Sequence, residues 1–401
     1  RHSFVQLPDD EYTPRLFDPR AGFNRVTFMD FATPIAEPIK KRYITRHRLI
    51  KKDPSSALSE AVEPIVYYLD PGTPEPVKSA LLEGGNWWNQ AFESAGFKNA
   101  FRVEIAPQGM DFLDVRYNVI QWVHRSTRGW SYGASVRDPR TGEILKGHVS
   151  LGSLRVRQDY LIAQGLLQPF GEGGTADNRM LELAVARLKQ LSAHEIGHTI
   201  GLAHNFASSA VGRASVMDYP YPLTNLDTEG NISLSNAYDD KIGIWDKRAI
   251  SYGYSYPTEG IDEASYLEKS LQDTYADGYE FITDADARDS SGVHPRSHLW
   301  DNGASAADEL KRMLALRDAK MASFNLNAIP TGQPEATLEE VFVPLYLMHR
   351  YQLEATTKLI GGMDYSYKIK GDNQPNQGWV SAAIQQDSLD ALLLAIEPDQ
   401  L

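Results

Sequence analysis

Four residues able to do chemistry fall in one short stretch: His194, Glu195, His198 and His204, within the run HEIGHTIGLAH. On a helix His194 and His198 are i and i+4, so both imidazoles leave one face a turn apart and can reach a single metal ion. Glu195 lies beside the first of them, where a carboxylate can hydrogen-bond a metal-held water without ligating. His204 cannot join from a continuous helix, because position 204 would lie about 15 Å along the axis from position 194. The chain must turn back, and Gly201 suits that turn, since glycine takes positive φ without a Cβ clash. Three neutral imidazoles leave one position of a tetrahedral ion open, as in a catalytic rather than a structural zinc site. HExxH alone is a weak signal; the glycine and the third histidine at their offsets make it specific.

These residues need a scaffold. The chain of 401 residues is 42 % apolar and 10 % aromatic, enough for one large domain or two to three ordinary ones. A formal charge of −13 argues against nucleic acid as the partner. No apolar run approaches the roughly 18 residues of a spanning helix, so no transmembrane segment is expected. Zero cysteines exclude disulfides, thiolate zinc sites and cysteine nucleophiles. Opening on Arg1-His2-Ser3 and closing on Leu401, the chain reads as a piece of a longer polypeptide whose targeting segment is gone.

Residues 1–60, polar and basic in places, read as an N-terminal extension or the tail of a preceding module. PIVYYLD (64–70) reads as a strand and leads into an amphipathic helix with Val77, Leu81, Trp88, Phe92 and Ala95 on one face and Gly96 at its end. Residues 114–123 alternate as a strand, and the runs around Pro139-Arg140-Thr141-Gly142 read as a hairpin. The helix bearing the first two histidines is expected over 177–200. Further helices are expected at 238–254, near 305–322, from Thr337 (a capping box with Glu340) to Gly361, and over 380–396. Asp284, Asp286 and Asp289 in DADARD read as a solvated acidic loop. Calcium there is the lesser alternative, for the glycine and terminal glutamate of an EF-hand loop are absent.

HExxHxxGxxH is the metzincin signature, and SVMDYP (215–220) stands where a methionine turn would follow, with Met217 in place. The segment resembles the S-x-M-x-Y form of astacins and serralysins, whose tyrosine is a fifth zinc ligand that can swing away. That makes Tyr219 a candidate ligand and oxyanion stabiliser; a tyrosine merely packed under the site is the competing reading. Asn205, rather than Glu, follows the third histidine, a departure from both families. With PIVYYLD, WWNQAFESAGFKNA, DPRTGEI and VPLYLMHRYQLEA, the chain resembles the bacterial Met-zincin family from about residue 15 to 400.

The resemblance implies an α+β (mixed α/β) fold: a twisted mixed sheet and active-site helix in an upper subdomain (61–205), then a mainly helical lower subdomain with the Met-turn (206–401). It implies a zinc-dependent endopeptidase with one catalytic Zn2+ on His194, His198 and His204, Glu195 as general base towards a zinc-activated water, and an extended peptide or protein as substrate. The strand before the zinc helix would pair with that substrate, which nominates Gly147, His148, Val149 and Ser150. Specificity is expected from the wall after Met217, including Tyr219, Pro220 and Tyr221. The alternatives are a zinc aminopeptidase or other zinc hydrolase, and a non-catalytic peptide-binding module with structural zinc. The expected location is extracytoplasmic in a bacterium: periplasm, cell surface or secreted.

Overall fold

A computed structural model describes residues 2–126, 130–171, 174–257, 260–289 and 291–401. Its first regular unit is an antiparallel hairpin of β1 (Arg25–Met29) and β2 (Lys40–Ile44). A five-stranded sheet follows, built from β3 (Ile65–Leu69), β4 (Phe101–Ile105), β5 (Asn118–Val123), β6 (Tyr132–Arg137) and β7 (Ile144–Gly152). Its order is β4-β3-β5-β7-β6, with every pair parallel except the last. The alternating burial of β3 and the almost continuous burial of β7 reflect helix packing on the sheet.

The helix read from the sequence around 77–95 is two helices, α1 (Val77–Asn86) and α2 (Trp88–Ser94), joined at Trp87. Gly96 ends the second with φ +88°. A helix that the sequence pattern did not announce, α3 (Leu154–Leu167), comes next, followed by α4 (Asn178–Thr199). Asp177 caps α4 by accepting from the Arg179 N–H at 2.8 Å. Met180, Leu183, Ala184, Leu188 and Leu191 recur at helical spacing and are buried, fixing which face turns inward. That face packs between α1 and α3 and beneath β6 and β7. The approach is close: a Cβ on Gly84 would lie 2.0 Å from the Lys189 carbonyl oxygen.

Below α4 the chain is mainly helical: α5 (Ile244–Tyr254), α6 (Glu263–Ala276), the four-residue α7 (Asp284–Ala287), α8 (Ala306–Met321), α9 (Leu338–Tyr346), α10 (Arg350–Thr357) and α11 (Ala382–Leu394). The long helix expected from Thr337 is broken between α9 and α10, and Thr337 makes no side-chain cap. Pro344 lacks the N–H that would continue the ladder, and the chain turns at Leu347. One large core joins the sheet, α1, α2, α4 and α5, and takes in Phe23 and Ile44 from the N-terminal segment. A second, around Leu166, Tyr221, Met313, Leu345 and Met348, lies in the helical half. The molecule is thus α+β, a mixed sheet with its helices above a largely helical lower part.

The N-terminal segment is bound into this body. Phe23 bridges Leu202, the Asn24 N–H donates to the Gly201 carbonyl at 2.8 Å, and the Ala203 N–H donates to the Gly22 carbonyl at 2.9 Å. The Arg46 guanidinium donates to the Gly253 carbonyl on α5.

Candidate metal centre

His194 and His198 leave α4 on one face, their ring centroids 4.9 Å apart. Past Thr199 the helix stops, and Gly201 at φ +113° reverses the chain. A Cβ there would lie 2.0 Å from the Thr45 carbonyl oxygen, so glycine is required by both backbone angle and space. The reversal brings His204 back, with its ring 4.5 Å from that of His198 and 5.2 Å from that of His194.

Each ring is oriented by a partner on Nδ1. His194 Nδ1 lies 2.7 Å from the Val216 carbonyl, His198 Nδ1 3.0 Å from the Leu202 carbonyl, and His204 Nδ1 2.9 and 3.1 Å from the two Asp284 carboxylate oxygens. These partners only accept, so each Nδ1 carries the proton and each Nε2 offers a lone pair. Burial, with the neighbouring imidazoles, holds His194 well below its ordinary pKa; burial, then the neighbouring His204 imidazole, takes His198 down to about 3. The Nε2 atoms of His198 and His204 are 3.1 Å apart. Two lone pairs cannot bond one another at that distance, whereas two nitrogens on one tetrahedral ion, each at about 2.0–2.1 Å, stand about 3.3 Å apart. The ligand atoms of all three histidines lie within 4.8 Å of one another. A neutral three-imidazole set, each ring fixed by an outer hydrogen bond, fits Zn2+.

Met217 is fully buried beneath the helix. A Cβ on Gly197 would stand 2.2 Å from its sulfur, so the glycine inside HEIGH lets this methionine approach between the first two histidines. The turn is pinned by Asp246 of α5, which accepts from the Ser215 hydroxyl at 2.6 Å and the Val216 N–H at 2.9 Å. Asn205, the departure noted in the sequence, is a fully buried junction. Its N–H donates to the Met217 carbonyl at 3.1 Å and its side-chain amide to the Glu280 carbonyl at 2.8 Å.

Glu195 is 5 % exposed, and burial pushes its carboxyl up to about 8 against the pull of Arg187 and the Gly133 amide. Tyr219 lies beside the triad, its ring 4.7 Å from His204 and 5.0 Å from Trp300. Its hydroxyl accepts from an Arg288 guanidinium N–H at 3.1 Å. Burial raises its pKa while Arg288 opposes the rise. Arg288 also pairs with Asp284. The acidic loop therefore holds two residues of the centre that the sequence reading did not assign to it. The three acids do not gather: Asp286 accepts from the Tyr365 and Tyr367 hydroxyls, and Asp289 from Ser291. Among the described residues, the one group with metal-ligand spacing is the three histidines.

Glu195, His198, His204 and Tyr219 line a cleft of about 1130 Å³ whose walls come from β6, the N-terminal segment and the loop at 281–286. The expectation for Gly147, His148, Val149 and Ser150 is corrected here. Their strand, β7, is hydrogen-bonded by β5 on one side and β6 on the other, and none of the four lines the cleft. His148 bonds Gln121 at 2.8 Å, and Val149 and Ser150 are buried. The hairpin that the sequence announced folds its first arm to the outside, so the sheet ends at β6. Tyr221 is likewise core rather than wall, packed in the helical half.

A domain of unknown function is matched by residues 1–52. No curated protein and no solved structure matches the chain. The family model described as Met-zincin matches residues 176–401, more than half the chain, a span that takes in α4, all three histidines, Glu195, Met217 and Tyr219. On that match, and with the histidines converging above a buried methionine, the chain belongs to the Met-zincin family.

Proposed function

We propose that this protein is a zinc-dependent endopeptidase acting on extended peptide chains. The observation that supports it is the convergence of three Nε2 lone pairs with a buried carboxyl and a held tyrosine on a cleft bounded by the outermost strand of a sheet. His194, His198 and His204 would hold the zinc, which when bound polarises the scissile carbonyl and makes water a nucleophile near neutral pH. Glu195 takes the water's proton and passes it to the leaving amine. Burial raises the proton affinity of this carboxylate, the direction a base needs. The Tyr219 hydroxyl, held by Arg288, donates towards the oxygen on which negative charge develops. A substrate main chain pairs with β6, and residues 61–205 and 206–401 supply the upper and lower sides of the cleft.

The test is metal analysis with cleavage profiling of a mixed peptide library, on the wild type and on Glu195→Gln. The variant keeps the side-chain shape but not its basicity, so it should retain about one zinc equivalent while hydrolysis is abolished. Wild-type turnover in the variant would remove Glu195 from the role of base. Cleavage confined to N-terminal residues would replace the endopeptidase with an aminopeptidase.

A further inference from the structure

Three arginines line the cleft beside the metal-ligand residues: Arg25 on β1, Arg42 on β2 and Arg137 at the end of β6. All three are exposed, and no carboxylate among the described residues pairs with any of them. This is unusual company in a chain with a formal charge of −13. Of the acids of the same cleft, Glu195 is buried, Asp284 is engaged with His204 and Arg288, and Asp286 with two tyrosine hydroxyls. Arg25 and Arg42 moreover face one ring, their guanidinium carbons 4.5 and 5.7 Å from the Phe17 centroid. The ring thus holds two like charges on one wall with no carboxylate among the described residues to pair them, a place that attracts an anion.

The position of these charges along the cleft follows from β6. Gly133 marks the metal end, because a Cβ on it would lie 2.2 Å from the Glu195 carbonyl oxygen and 3.0 Å from His198 Cβ. Arg137 is four residues further, about 13 Å at the rise of a strand. A peptide added antiparallel to β6 runs the other way, so residues facing Arg137 lie on the N-terminal side of the bond placed at the metal. The β1–β2 hairpin forms the facing wall.

We propose that Arg25, Arg42 and Arg137 form a subsite for carboxylate side chains, so that the enzyme selects peptides with Asp or Glu about three to five residues N-terminal to the scissile bond. This rests on the peptidase reading above and names its substrate class. Phe17, Arg25 and Arg42 come from the segment matched separately from the catalytic part, which makes that segment a specificity element.

The experiment profiles a peptide library with the wild type, Arg137→Glu and the double variant Arg25→Glu/Arg42→Glu, then measures kcat/KM on a matched pair of peptides with Glu or Gln at the selected position. The expected Glu-to-Gln ratio is about 10 or more in the wild type at low salt, shrinks as salt rises, and drops to about one or below in the variants. A wild-type ratio near one, a ratio that survives charge reversal, or acidic selection on the C-terminal side would each overturn the subsite. If the wild type cleaves nothing, the peptidase reading fails separately, and the subsite is judged by fluorescence anisotropy of the same two peptides, dye-labelled. Tighter binding of the Glu peptide, lost on charge reversal, supports it; equal binding of the two overturns it.

Discussion

Asp284 stands 80 residues downstream of His204, yet its carboxylate accepts the proton that fixes the tautomer of the third imidazole. A carboxylate in that place raises the basicity of the ring and holds its plane, and removing such a partner costs metal affinity about 10- to 100-fold. Asp284→Ala should therefore weaken zinc binding by that factor, read by competition with a chromophoric chelator. Asp284→Asn, whose amide oxygen still accepts from Nδ1–H, should lose less. Equal affinity in all three proteins would show that His204 needs no such support. At this scale the sequence displayed the three histidines and Glu195, because they share one helix and its exit turn. It did not display Asp284 or Arg288, whose partners are brought to them only by tertiary folding. DADARD has the composition of a solvated loop, and the one local hint, an Asp-to-Arg spacing of i to i+4, occurs on many helices that touch nothing.

The elements divide along the same line. α4 and the β6–β7 hairpin were legible because capping, 3.6-residue periodicity and turn chemistry are local signals. Which arm of the hairpin lies outside was not, since an apolar strand buried on both faces differs from an edge only through its neighbours. α3 escaped for a related reason: Leu154–Leu167 buries Asp159 and Gln164 along with its apolar residues, so its pattern is blurred. The turn after α4 gives the sharpest test at this scale. An alanine at Gly201 must adopt φ +113° with its Cβ 2.0 Å from the Thr45 carbonyl oxygen, and that carbonyl belongs to the backbone entering the body. Gly201→Ala should cost about 3 kcal/mol or more, seen as a lowered denaturant midpoint, together with weakened zinc binding. A variant with wild-type stability and zinc affinity would show that the turn tolerates rearrangement.

For the molecule as a whole, the seam between the N-terminal segment and the body that carries the three histidines should set part of the acid sensitivity. His47 lies in that seam, its Nε2 3.2 Å from the Thr199 carbonyl and 3.3 Å from the Tyr67 hydroxyl. Burial lowers its pKa to about 4, against an ordinary value of 6.5. Between those values the unfolded chain binds a proton that the folded one refuses. The neutral histidine's contribution is therefore complete above pH 6.5 and is lost progressively as pH falls towards 4, by up to about 3 kcal/mol. Unfolding curves across that range should slope steeply in the wild type and flatten in His47→Gln; the same slope in both would clear His47 of the effect. Nothing in the sequence marked this histidine, which is one basic-looking residue in KKRYITRHRLIKK. The seam has another consequence. The backbone that closes the turn before the third ligand comes from Gly22–Asn24, whereas the covalent path out of that segment runs through an exposed stretch at 53–58. A proteolytic nick in that stretch would leave the turn before the third histidine supported by a separate chain. Retention of the metal would then become a matter of mass action, complete in concentrated solution, lost on dilution, and restored by adding the short fragment back in trans.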